Sequence, residues 1–350
     1  MNSLKAFPTV SVIVLNHNGM SFLKDCFDSL LAATYPDTEL LMVDNGSTDE
    51  SVSFMERNYP TVTVIHSDSN IGYSAGNNLG IRHARGEYVV LLNNDVEVTP
   101  GWLEPLVEEF ELDSKVAACQ PKLLHMINRT SFEYAGAAGG FMDRLGYPFL
   151  RGRVFDTIED DRGQYQTPVD LFWTSGAAMA IRKNVLDETG LLDEDFVLHM
   201  EEIDLCWRLH LRGYRLRVRP DAVIYHYGGG TLSHGKTVKM YYNHRNSIFM
   251  LLKNYSGGQL LWVLPLRLLL DVVLVLKSLA TLDLKRLAAV AAAYVWLGLH
   301  PLLIYRKRRE VQNQRKVGDQ VIGTLLYPVS LVFSYYIRGK KTFTDIVGAA

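Results

Sequence analysis

The sequence predicts an α/β fold in which helices flank a mostly parallel sheet, followed by a hydrophobic helical region. Over the first part of this 350-residue chain, short apolar runs rich in β-branched residues alternate with segments of helical periodicity, which is the pattern of a doubly wound sheet. Polar residues, mostly Asn and Asp, follow three of these runs directly. Beyond about residue 254, apolar runs dominate the sequence. We therefore expect an α/β part and a separate apolar part.

Charge and cysteine content narrow the class of protein. Lys and Arg number 36 and Asp and Glu number 38, for a formal net charge of −2, so nothing electrostatic favours nucleic acid as a partner. Cys26, Cys119 and Cys206 form no CxxC pair, which favours a reducing compartment without a disulfide framework or a zinc knuckle. The N-terminal segment has no apolar h-region, and we expect no cleaved signal peptide.

Each element of the α/β part follows from its own pattern. Apolar residues at helical spacing predict a helix over residues 22–31. Ser47 and Glu50 have capping-box spacing, so a second helix is expected to begin there. A third helix contains Asn78 and leads into the next strand. Strands are predicted over residues 10–15, 40–43, 62–65, 88–92 and 216–225.

The strand at 88–92 ends in Asn93, Asn94 and Asp95, and we expect the chemistry of the chain here. Ligands of open α/β sheets bind beyond the carboxyl ends of the strands, and a carboxylate there can hold a divalent cation that clamps a diphosphate. The alternative is a buried strand followed by an Asn-rich turn. No GxGxxG follows a predicted strand and no GxxxxGK[ST] occurs, so neither a dinucleotide dehydrogenase nor a P-loop NTPase is indicated.

Six motifs, in order and spacing, resemble those of the family 2 glycosyltransferases with a GT-A fold. The nucleotide-side motifs are Val10-Ser-Val-Ile-Val-Leu-Asn-His-Asn-Gly19, Val43-Asp-Asn-Gly-Ser-Thr-Asp49, Asn70-Ile-Gly-Tyr73 and Leu92-Asn-Asn-Asp-Val96. The acceptor-side motifs are Trp173-Thr-Ser-Gly-Ala177 and Glu201-Glu-Ile-Asp-Leu-Cys-Trp-Arg208. The resemblance covers residues 8–246 and is nearest to the bacterial rhamnosyltransferase-like branch, which favours "NND" over "DxD".

The resemblance implies a nucleoside-diphosphate sugar, dTDP- or UDP-linked, bound with Mn²⁺ or Mg²⁺. Asp44 would accept a hydrogen bond from the pyrimidine or the ribose, and His17 would stack on the base. Asp95 would be the main metal carboxylate and His226 a further ligand; the alternative for His226 is a strand-end histidine packed under the glycines Gly228 to Gly230. The expected donor-binding residues are Leu15, Asn16, His17, Asp44, Asn70, Gly72, Asn78, Asn93, Asn94 and Arg245.

On the acceptor side, the resemblance makes Glu202 the catalytic base and gives Glu201 a supporting role. Glu202 replaces the usual aspartate of the family, which adds one methylene to the reach of the base. Without the resemblance, adjacent carboxylates at a helix N-terminus are simply good dipole partners. This helix is predicted over residues 196–212, ended by Gly213. Trp173 and Gly176 are expected to bind the acceptor.

The segment 123–168 is rich in Gly, Asp and Arg without clear periodicity. We expect loops and short strands that shape the acceptor pocket, the alternative being a surface insertion without a role in the site. We predict a GT-A domain over residues 1–254, with a nucleotide-binding half at about 8–120 and an acceptor half at about 121–254. Residues 255–350 form the predicted membrane-association region.

The apolar region contains three hydrophobic segments with basic connections between them. In the first, at 260–282, Arg267, Asp271 and Ser278 fall near one helical face, which is consistent with a helix in the membrane plane. The second, 287–305, is uncharged and just long enough to span, and the third is 321–337. Because basic clusters follow each segment, we favour a monotopic or partly re-entrant tail on the cytoplasmic face of the cell membrane, bound to anionic lipid. A hairpin of the first two segments and a dimer interface are the alternatives.

The function that follows is a metal-dependent inverting glycosyltransferase that extends a lipid-linked saccharide in cell-envelope or O-antigen synthesis, with L-rhamnose from dTDP-rhamnose as a candidate. A polyprenyl-phosphate glycosyltransferase is the second hypothesis. A non-catalytic nucleotide-sugar sensor or assembly scaffold is the third. The sequence does not identify the sugar, the acceptor, the linkage or the oligomeric state.

Overall fold

The computed structural model describes residues 7–228 and 236–348. Of the predicted triple glycine, Gly229 and Gly230 lie outside the described residues. The strands are β1 Val10–Asn16, β2 Thr38–Asn45, β3 Thr63–Ser67, β4 Tyr88–Asn93, β5 Val96–Val98, β6 Val116–His125, β7 Gly140–Met142, β8 Pro148–Leu150, β9 Arg153–Val154, β10 Thr157–Ile158, β11 Val169–Asp170, β12 Ala178–Arg182 and β13 Arg215–His226.

The α-helices lie among the strands as far as residue 226 and follow one another beyond it. They are α1 Met20–Leu31, α2 Ser51–Asn58, α3 Tyr73–His83, α4 Leu103–Leu112, α5 Val185–Thr189, α6 Glu201–Leu211, α7 Lys236–Asn254, α8 Gly257–Ala280, α9 Leu284–Leu299, α10 Pro301–Gln314, α11 Asp319–Leu325 and α12 Phe343–Val347. Two short turns complete them, a 3₁₀ turn over Glu194–Phe196 and a π-helical turn over Phe333–Ile337.

The main sheet has the strand order β11-β13-β6-β12-β4-β1-β2-β3, with β5 paired to β13. Strands β3, β2, β1 and β4 are parallel, as the alternation of strands and helices predicts. In the other half β12 runs antiparallel to β4 and β6, while β13 runs parallel to β6. A smaller sheet, β10-β9-β8-β7, comes from the segment 123–168, so the loops and short strands expected there are confirmed.

Both faces of the main sheet are buried, which explains the continuous apolar runs of its strands. In β1 the side chains of Val12 and Val14 pack in the core beneath α1 and α4, and that of Ile13 packs in the core on the opposite face. The free thiols Cys26, Cys119 and Cys206 are all buried.

Two predicted helix starts are wrong. Helix α2 begins at Ser51, and Ser47 forms no capping box, because its hydroxyl contacts Asn16 and the backbone of Asn18 instead. The helix expected from residue 196 begins at Glu201, since the backbone of Val197, His199 and Met200 is left-handed. The predicted stop is confirmed: Gly213 follows the helix with φ of 90°.

The apolar region differs from the three straight segments predicted. Helix α8 is long and apolar enough to cross a membrane, whereas α9 and α10 meet at 75° at His300. The segment 321–337 is broken into α11 and the π-helical turn. Arg267, Asp271 and Ser278 do share one face of α8, but that face is buried against protein. It therefore does not contact water or lipid headgroups.

Side chains from both sides of residue 254 share one core. Val263 of α8 and Val311 of α10 belong to the same buried cluster as Leu205 of α6 and Phe249 of α7. The predicted boundary near residue 254 stays a prediction, and the apolar region packs directly on the α/β part.

Candidate active site

A cavity of about 980 Å³ lies at the carboxyl ends of β1, β2, β4 and β13. This is the edge where parallel strands are expected to collect polar side chains. Of the predicted site residues, the following line it: Leu15, His17, Asn70, Gly72, Asn93, Asn94, Asp95, Trp173, Gly176, Glu201, Glu202 and His226. The predicted donor, acceptor, metal and catalytic residues therefore meet in one space.

Asp95 and His226 meet because β5 and β13 pair. Val96, the residue after Asp95, is in register with His226 in this antiparallel ladder. The Nε2 atom of His226 lies 3.0 Å from Oδ1 of Asp95, and both side chains are buried. Strand pairing thus joins two residues that are 131 positions apart in the sequence.

Glu133 completes this group from the opposite side of the imidazole ring. Its Oε1 lies 3.3 Å from Nδ1 of His226, and its Oε2 accepts hydrogen bonds from the backbone of Ala135 and Gly136. Burial opposes a charge on His226, yet the hydrogen bonds with Asp95 and Glu133 raise the pKa of its ring to about 10. The site is therefore built to hold positive charge between two buried carboxylates.

A divalent cation fits this donor set only with help from a ligand. Within residues 7–228 and 236–348, no group of three or more His, Cys, Asp and Glu side chains is arranged to hold a metal. Asp95 and His226 are a carboxylate and an imidazole at a cavity wall, and both suit Mn²⁺ once the incoming cation has displaced the proton of the imidazole. Mg²⁺ and similar cations commonly take one or two protein carboxylates and complete their shell with substrate phosphates and water.

The carboxylates of Glu201 and Glu202 lie at the start of α6 and face the cavity. In each, Oε2 is buried without a hydrogen-bond partner among the described residues. Burial raises the pKa of Glu202 to about 7, and burial together with the charge of Glu202 raises the pKa of Glu201 well above its usual value. Glu202 remains partly accessible whereas Glu201 is buried, so Glu202 is the better placed of the two to meet a substrate.

The comparisons with known proteins agree with this geometry. Residues 11–190, more than half of the chain, match the family model described as glycosyl transferase family 2. The chain belongs to this family. It is 31% identical over 217 residues to the O-antigen biosynthesis protein RfbC of Myxococcus xanthus, a match that covers 61% of this chain but only 17% of that protein.

A second relative of this family 2 glycosyltransferase matches it over almost the whole length of the relative. The N-acetylglucosaminyl-diphospho-decaprenol L-rhamnosyltransferase of Mycobacterium tuberculosis is 24% identical over 281 residues, covering 76% of this chain and 91% of that protein. Among solved structures, the crystal structure of GalNAc-T7 with UDP, GalNAc and Mn²⁺ is 18% identical and has a TM-score of 0.55. It covers 71% of this chain and 48% of that one, and this likeness shows the GT-A fold.

On the donor side of this glycosyltransferase, Asp44 lies beside the cavity rather than in its lining. Its Oδ2 accepts a hydrogen bond from the backbone of Ser47, while Oδ1 is buried without a donor among the described residues. An orphaned buried oxygen is costly unless a ligand supplies a donor. The N3–H of a pyrimidine is such a donor, so this position agrees with the expected nucleoside contact.

Asn16 and Asn94 shape the cavity floor as a pair. The side-chain amide of Asn94 donates to Oδ1 of Asn16 at 2.7 Å, and that of Asn16 donates to the hydroxyl of Ser47. Only Asn94 lines the cavity. Asn45, which the sequence analysis missed, receives the backbone N–H of Ile71 and donates to Gly72, and so fixes the loop after β3.

Two expected donor contacts require correction, those of Asn78 and Arg245. The side-chain nitrogen of Asn78 donates to the carbonyl of Leu192 and to the carboxylate of Glu194, and its oxygen accepts from the backbone N–H of Leu192. The guanidinium of Arg245 donates to the carbonyls of Asp195 and Phe196. Neither residue lines the cavity, because both hold the segment that precedes α6.

Trp173 and Gly176, which are predicted to bind the acceptor, both line the cavity. The indole N–H of Trp173 donates to the carbonyl of Phe141 at 2.8 Å, which fixes the ring at the cavity wall. The hydroxyl of Tyr73 donates to the carbonyl of Gly176, and a Cβ at residue 176 would lie 2.9 Å from that hydroxyl. A glycine is needed there because any side chain would displace Tyr73.

Several lining residues had no signal in the sequence. They lie in the segment 123–168 or in α7: Tyr134, Tyr147, Arg153, Phe155, Lys239 and Tyr242. For those in the segment 123–168, only the position of the segment between the donor and acceptor motifs could have indicated a role. Lys239 and Tyr242 follow both sets of motifs, and nothing in their spacing indicated one.

Proposed function

We propose that this protein is a metal-dependent inverting glycosyltransferase that transfers a sugar from a nucleoside diphosphate to a lipid-linked saccharide. The observation that carries the proposal is the meeting, in one cavity, of the Asp95–His226 pair with the carboxylate of Glu202. The Asp95–His226 pair is suited to holding a cation at the diphosphate of a donor. The carboxylate of Glu202 is suited to accepting a proton from the hydroxyl of an acceptor. An inverting transfer needs one group of each kind.

The bond changes assign a role to each residue. Glu202 removes the proton of the acceptor hydroxyl while that oxygen forms a bond to the anomeric carbon of the sugar. The bond from that carbon to the diphosphate oxygen breaks, and its electron pair leaves with the nucleoside diphosphate. Asp95 and His226 would hold the cation, and a bound Mn²⁺ or Mg²⁺ would stabilise the charge on the departing diphosphate.

The donor and the acceptor are proposed from the relatives. The mycobacterial relative is named as an L-rhamnosyltransferase acting on an N-acetylglucosaminyl-diphospho-decaprenol, and the Myxococcus relative as an O-antigen biosynthesis protein. We infer dTDP-L-rhamnose as the candidate donor and a glycosyl-diphospho-lipid of cell-envelope synthesis as the acceptor. The orphaned Oδ1 of Asp44 supports a nucleotide with a pyrimidine base.

We propose that the apolar region holds the enzyme on the cytoplasmic face of the cell membrane. The outer face of α8 exposes a continuous set of apolar side chains, those of Leu261, Leu268, Leu269, Val272, Val273 and Leu276. Exposed basic side chains of Lys285, Arg286, Arg306 and Arg309 lie on the following helices, and such groups attract anionic lipid.

The test combines ligand-induced stabilisation with turnover. The full chain is screened with dTDP-, UDP- and GDP-sugars, with Mn²⁺ or with a chelator, because a ligand that binds the native state raises the melting temperature. We expect one donor to stabilise the protein only with metal and to be consumed when a short-chain glycosyl-diphospho-lipid is added. The product should have the inverted anomeric configuration.

Asp95→Ala is the matched variant for this test. We expect it to abolish metal-dependent stabilisation by the donor while the protein remains folded. Unchanged donor affinity in calorimetry, with and without chelator, would contradict the metal assignment. Donor binding without turnover on any acceptor would favour a sensor or scaffold, and transfer to polyprenyl phosphate itself would favour the second enzyme hypothesis.

A further inference from the structure

Two cationic side chains in the cavity face the same aromatic ring. The Cζ atom of Arg153 lies 3.3 Å from the ring centre of Tyr134, and Nζ of Lys239 lies 5.3 Å from it. Of the described residues that line the cavity, these are the ones with a Lys or Arg side chain. They come from β9 and α7, elements of different parts of the chain, so the fold brings them together.

The guanidinium of Arg153 is held in place by backbone carbonyls. Its Nε donates to the carbonyl of Phe155 at 2.9 Å and its Nη1 to that of Tyr134 at 2.6 Å. Neither Arg153 nor Lys239 forms a salt bridge with a described carboxylate, whereas Arg208 and Arg219 pair directly with acids. A fixed, planar guanidinium without a carboxylate partner is suited to a planar or tetrahedral anion.

Burial of Arg153 supports this interpretation. It lowers the pKa of the guanidinium, and the side chain of Tyr134 together with the nearby charges of Glu133 and Asp156 offsets the effect only in part. A charged group withdrawn from water without a full counter-charge is stabilised by an anionic ligand.

The position of these residues indicates which anion they meet. On one side, Tyr134 follows Glu133, which contacts His226 of the proposed metal site. On the other side, Arg153 contacts Phe155, whose ring centre lies 5.5 Å from that of the half-exposed Tyr336. The cations therefore lie between the donor end of the cavity and an apolar surface.

That apolar surface continues onto α8. Phe333 and Ile337 are exposed beside Tyr336 in the π-helical turn, and Nζ of Lys277 of α8 lies 5.6 Å from the ring centre of Tyr336. A lipid chain leaving the cavity past Phe155 and Tyr336 would reach the surface that we propose to contact the membrane.

We propose that Arg153 and Lys239, arranged around Tyr134, bind the diphosphate of a lipid-linked acceptor, with the lipid leaving over Phe155 and Tyr336. This inference rests on the proposed function and adds a recognition point to it. It selects acceptors in which the accepting sugar is attached directly to a lipid diphosphate. A hydroxyl of that sugar then lies within reach of Glu202, while the donor diphosphate occupies the Asp95 end.

The first experiment measures binding and needs no turnover. Farnesyl diphosphate is titrated, in the presence of a chelator, into the intact chain. The same titration is then repeated with the Arg153→Gln, Lys239→Gln and double variants. We expect each substitution to weaken binding about 10- to 100-fold, the usual effect of losing a hydrogen bond to a charged group. In a parallel titration with Mn²⁺ in place of the chelator, saturating UDP should not displace the probe, because UDP belongs to the metal-dependent donor end.

The control is Arg162→Gln. Arg162 is a highly exposed arginine of the same segment, and its guanidinium lies 3.8 Å from Asp160. This variant removes one positive charge outside the cavity, and we expect no change in binding. Melting temperatures of all variants show whether a loss of binding reflects unfolding. Arg153→Lys keeps the positive charge and removes the planar guanidinium, so it separates the two contributions to binding.

The second experiment compares three acceptors that carry the same sugar: a glycosyl-diphospho-farnesol, a glycosyl-phospho-farnesol and an octyl glycoside. The double variant should raise KM for the diphosphate acceptor at least about tenfold, with KM for the octyl glycoside and for the donor unchanged. A rise in the donor KM, or displacement of farnesyl diphosphate by UDP, would assign the cations to the donor diphosphate and overturn the proposal. Unchanged farnesyl diphosphate affinity in the double variant would also overturn it. If the wild type binds the probe but transfers to no acceptor, the proposed function fails while the phosphate site stands.

Discussion

At the scale of single residues, the site depends on carboxylates that the fold withdraws from water. Glu202 has its pKa raised to about 7 by burial, so it changes charge near neutral pH. A base is most effective when its pKa lies near the working pH, since it is then both ionised and basic. The carboxylate of Asp95 is also withdrawn from water, and its Oδ1 lies 3.0 Å from Nε2 of His226.

The first prediction concerns Glu202. Because the base must be ionised, transfer should fall as the pH decreases below about 7, in step with protonation of the carboxyl. Glu202→Gln keeps the shape and removes the basicity, so we expect transfer to fall by roughly 10²–10⁴-fold with donor affinity nearly intact. Rates between pH 5.5 and 8.5 and donor calorimetry check this. A fully active Glu202→Gln beside an inactive Glu201→Gln would exchange the two roles.

The second prediction concerns Glu201 and stability. A buried acid whose pKa is higher in the folded than in the unfolded state stabilises the fold at low pH, and that contribution is lost as the pH rises towards the folded pKa. Burial raises the pKa of Glu201 well above its usual value. Glu201→Gln should therefore raise the melting temperature at pH 8 by roughly 1–2 °C for each ~1 kcal/mol recovered in a chain of this length. It should also flatten the dependence of stability on pH, and an unchanged melting curve from pH 5 to 8 would contradict this.

Prediction from sequence succeeded where a residue directly follows a strand. Asn93, Asn94 and Asp95 were predicted in the site because ligands bind beyond the carboxyl ends of the strands, and they line the cavity. His226, which the family resemblance implied, lines it too. Arg245 was misplaced because its true partners are the carbonyls of a loop some 50 positions earlier. A sequence pattern does not reveal a partner that exists only through an irregular backbone.

At the scale of elements, the segment before α6 is the feature that positions the two glutamates. Val197, His199 and Met200 all have positive φ, which costs on the order of 1–3 kcal/mol per residue and persists only where the surroundings enforce it. The amide of buried Asn246 in α7 contacts the carbonyls of Phe196, Leu198 and His199 within 2.9 Å. Helix α7 therefore holds the loop that precedes α6.

The third prediction follows from this contact. Asn246→Ala should remove the support of the left-handed loop and let Glu201 and Glu202 move, so we expect kcat to fall at least about tenfold because positioning is lost. Donor affinity should change little, since Asn246 does not line the cavity. Single-turnover kinetics with donor calorimetry measure both. An Asn246→Ala enzyme with the kcat of the wild type would show that the loop holds itself.

The small sheet β7–β10 and the residues around it could not be placed from sequence. Their strands have two or three residues each, too short for an alternation of apolar and polar residues to stand out. Tertiary contacts fix their positions instead: Arg151 donates to the carbonyls of Tyr165 and Thr167. Arg153 and Lys239, proposed to bind the acceptor, are likewise brought together only by tertiary contacts: Arg153 lies in β9 and Lys239 in α7.

At the scale of the whole molecule, helices α8 to α10 pack on the α/β part, and α8 has one face turned inward and one face exposed. The inner face of α8 carries polar side chains that pair within the protein: Arg267 donates to the carbonyl of Leu145, and Asp271 accepts from the hydroxyl of Tyr294. Its outer face is apolar and exposed. An extensive exposed apolar face on a soluble protein marks a contact surface, and the basic side chains beside it favour anionic lipid over a second protein.

The fourth prediction tests this surface without removing it. Leu269→Glu combined with Val273→Glu places two charges on the exposed face of α8, where both residues are more than half exposed. We expect the variant to leave anionic phosphatidylglycerol vesicles in a flotation assay while its transfer to a soluble acceptor remains unchanged.

A matched control is Leu112→Glu, an exposed leucine at the end of α4, which should still float with the vesicles. If the α8 variant floats equally well, the surface does not bind membrane. A change in sedimentation from dimer to monomer would identify it as a subunit interface.

The charged side chains between α10 and α6 have a practical consequence for preparing this enzyme. Nζ of Lys307 in α10 lies 2.7 Å from Asp193 and 2.9 Å from Asp195. Lys253 of α7 contacts both Asp193 and Asp204 of α6. Arg308 of α10 donates to the backbone of α7. Cutting the chain near residue 254 to obtain a detergent-free sample would remove Lys307 from Asp193 and Asp195, leave Lys253 at the new chain end as the lysine beside Asp193, and so loosen the helix that carries Glu202. Polar substitutions on the outer face of α8 in an otherwise intact chain are the route to a sample for crystallisation.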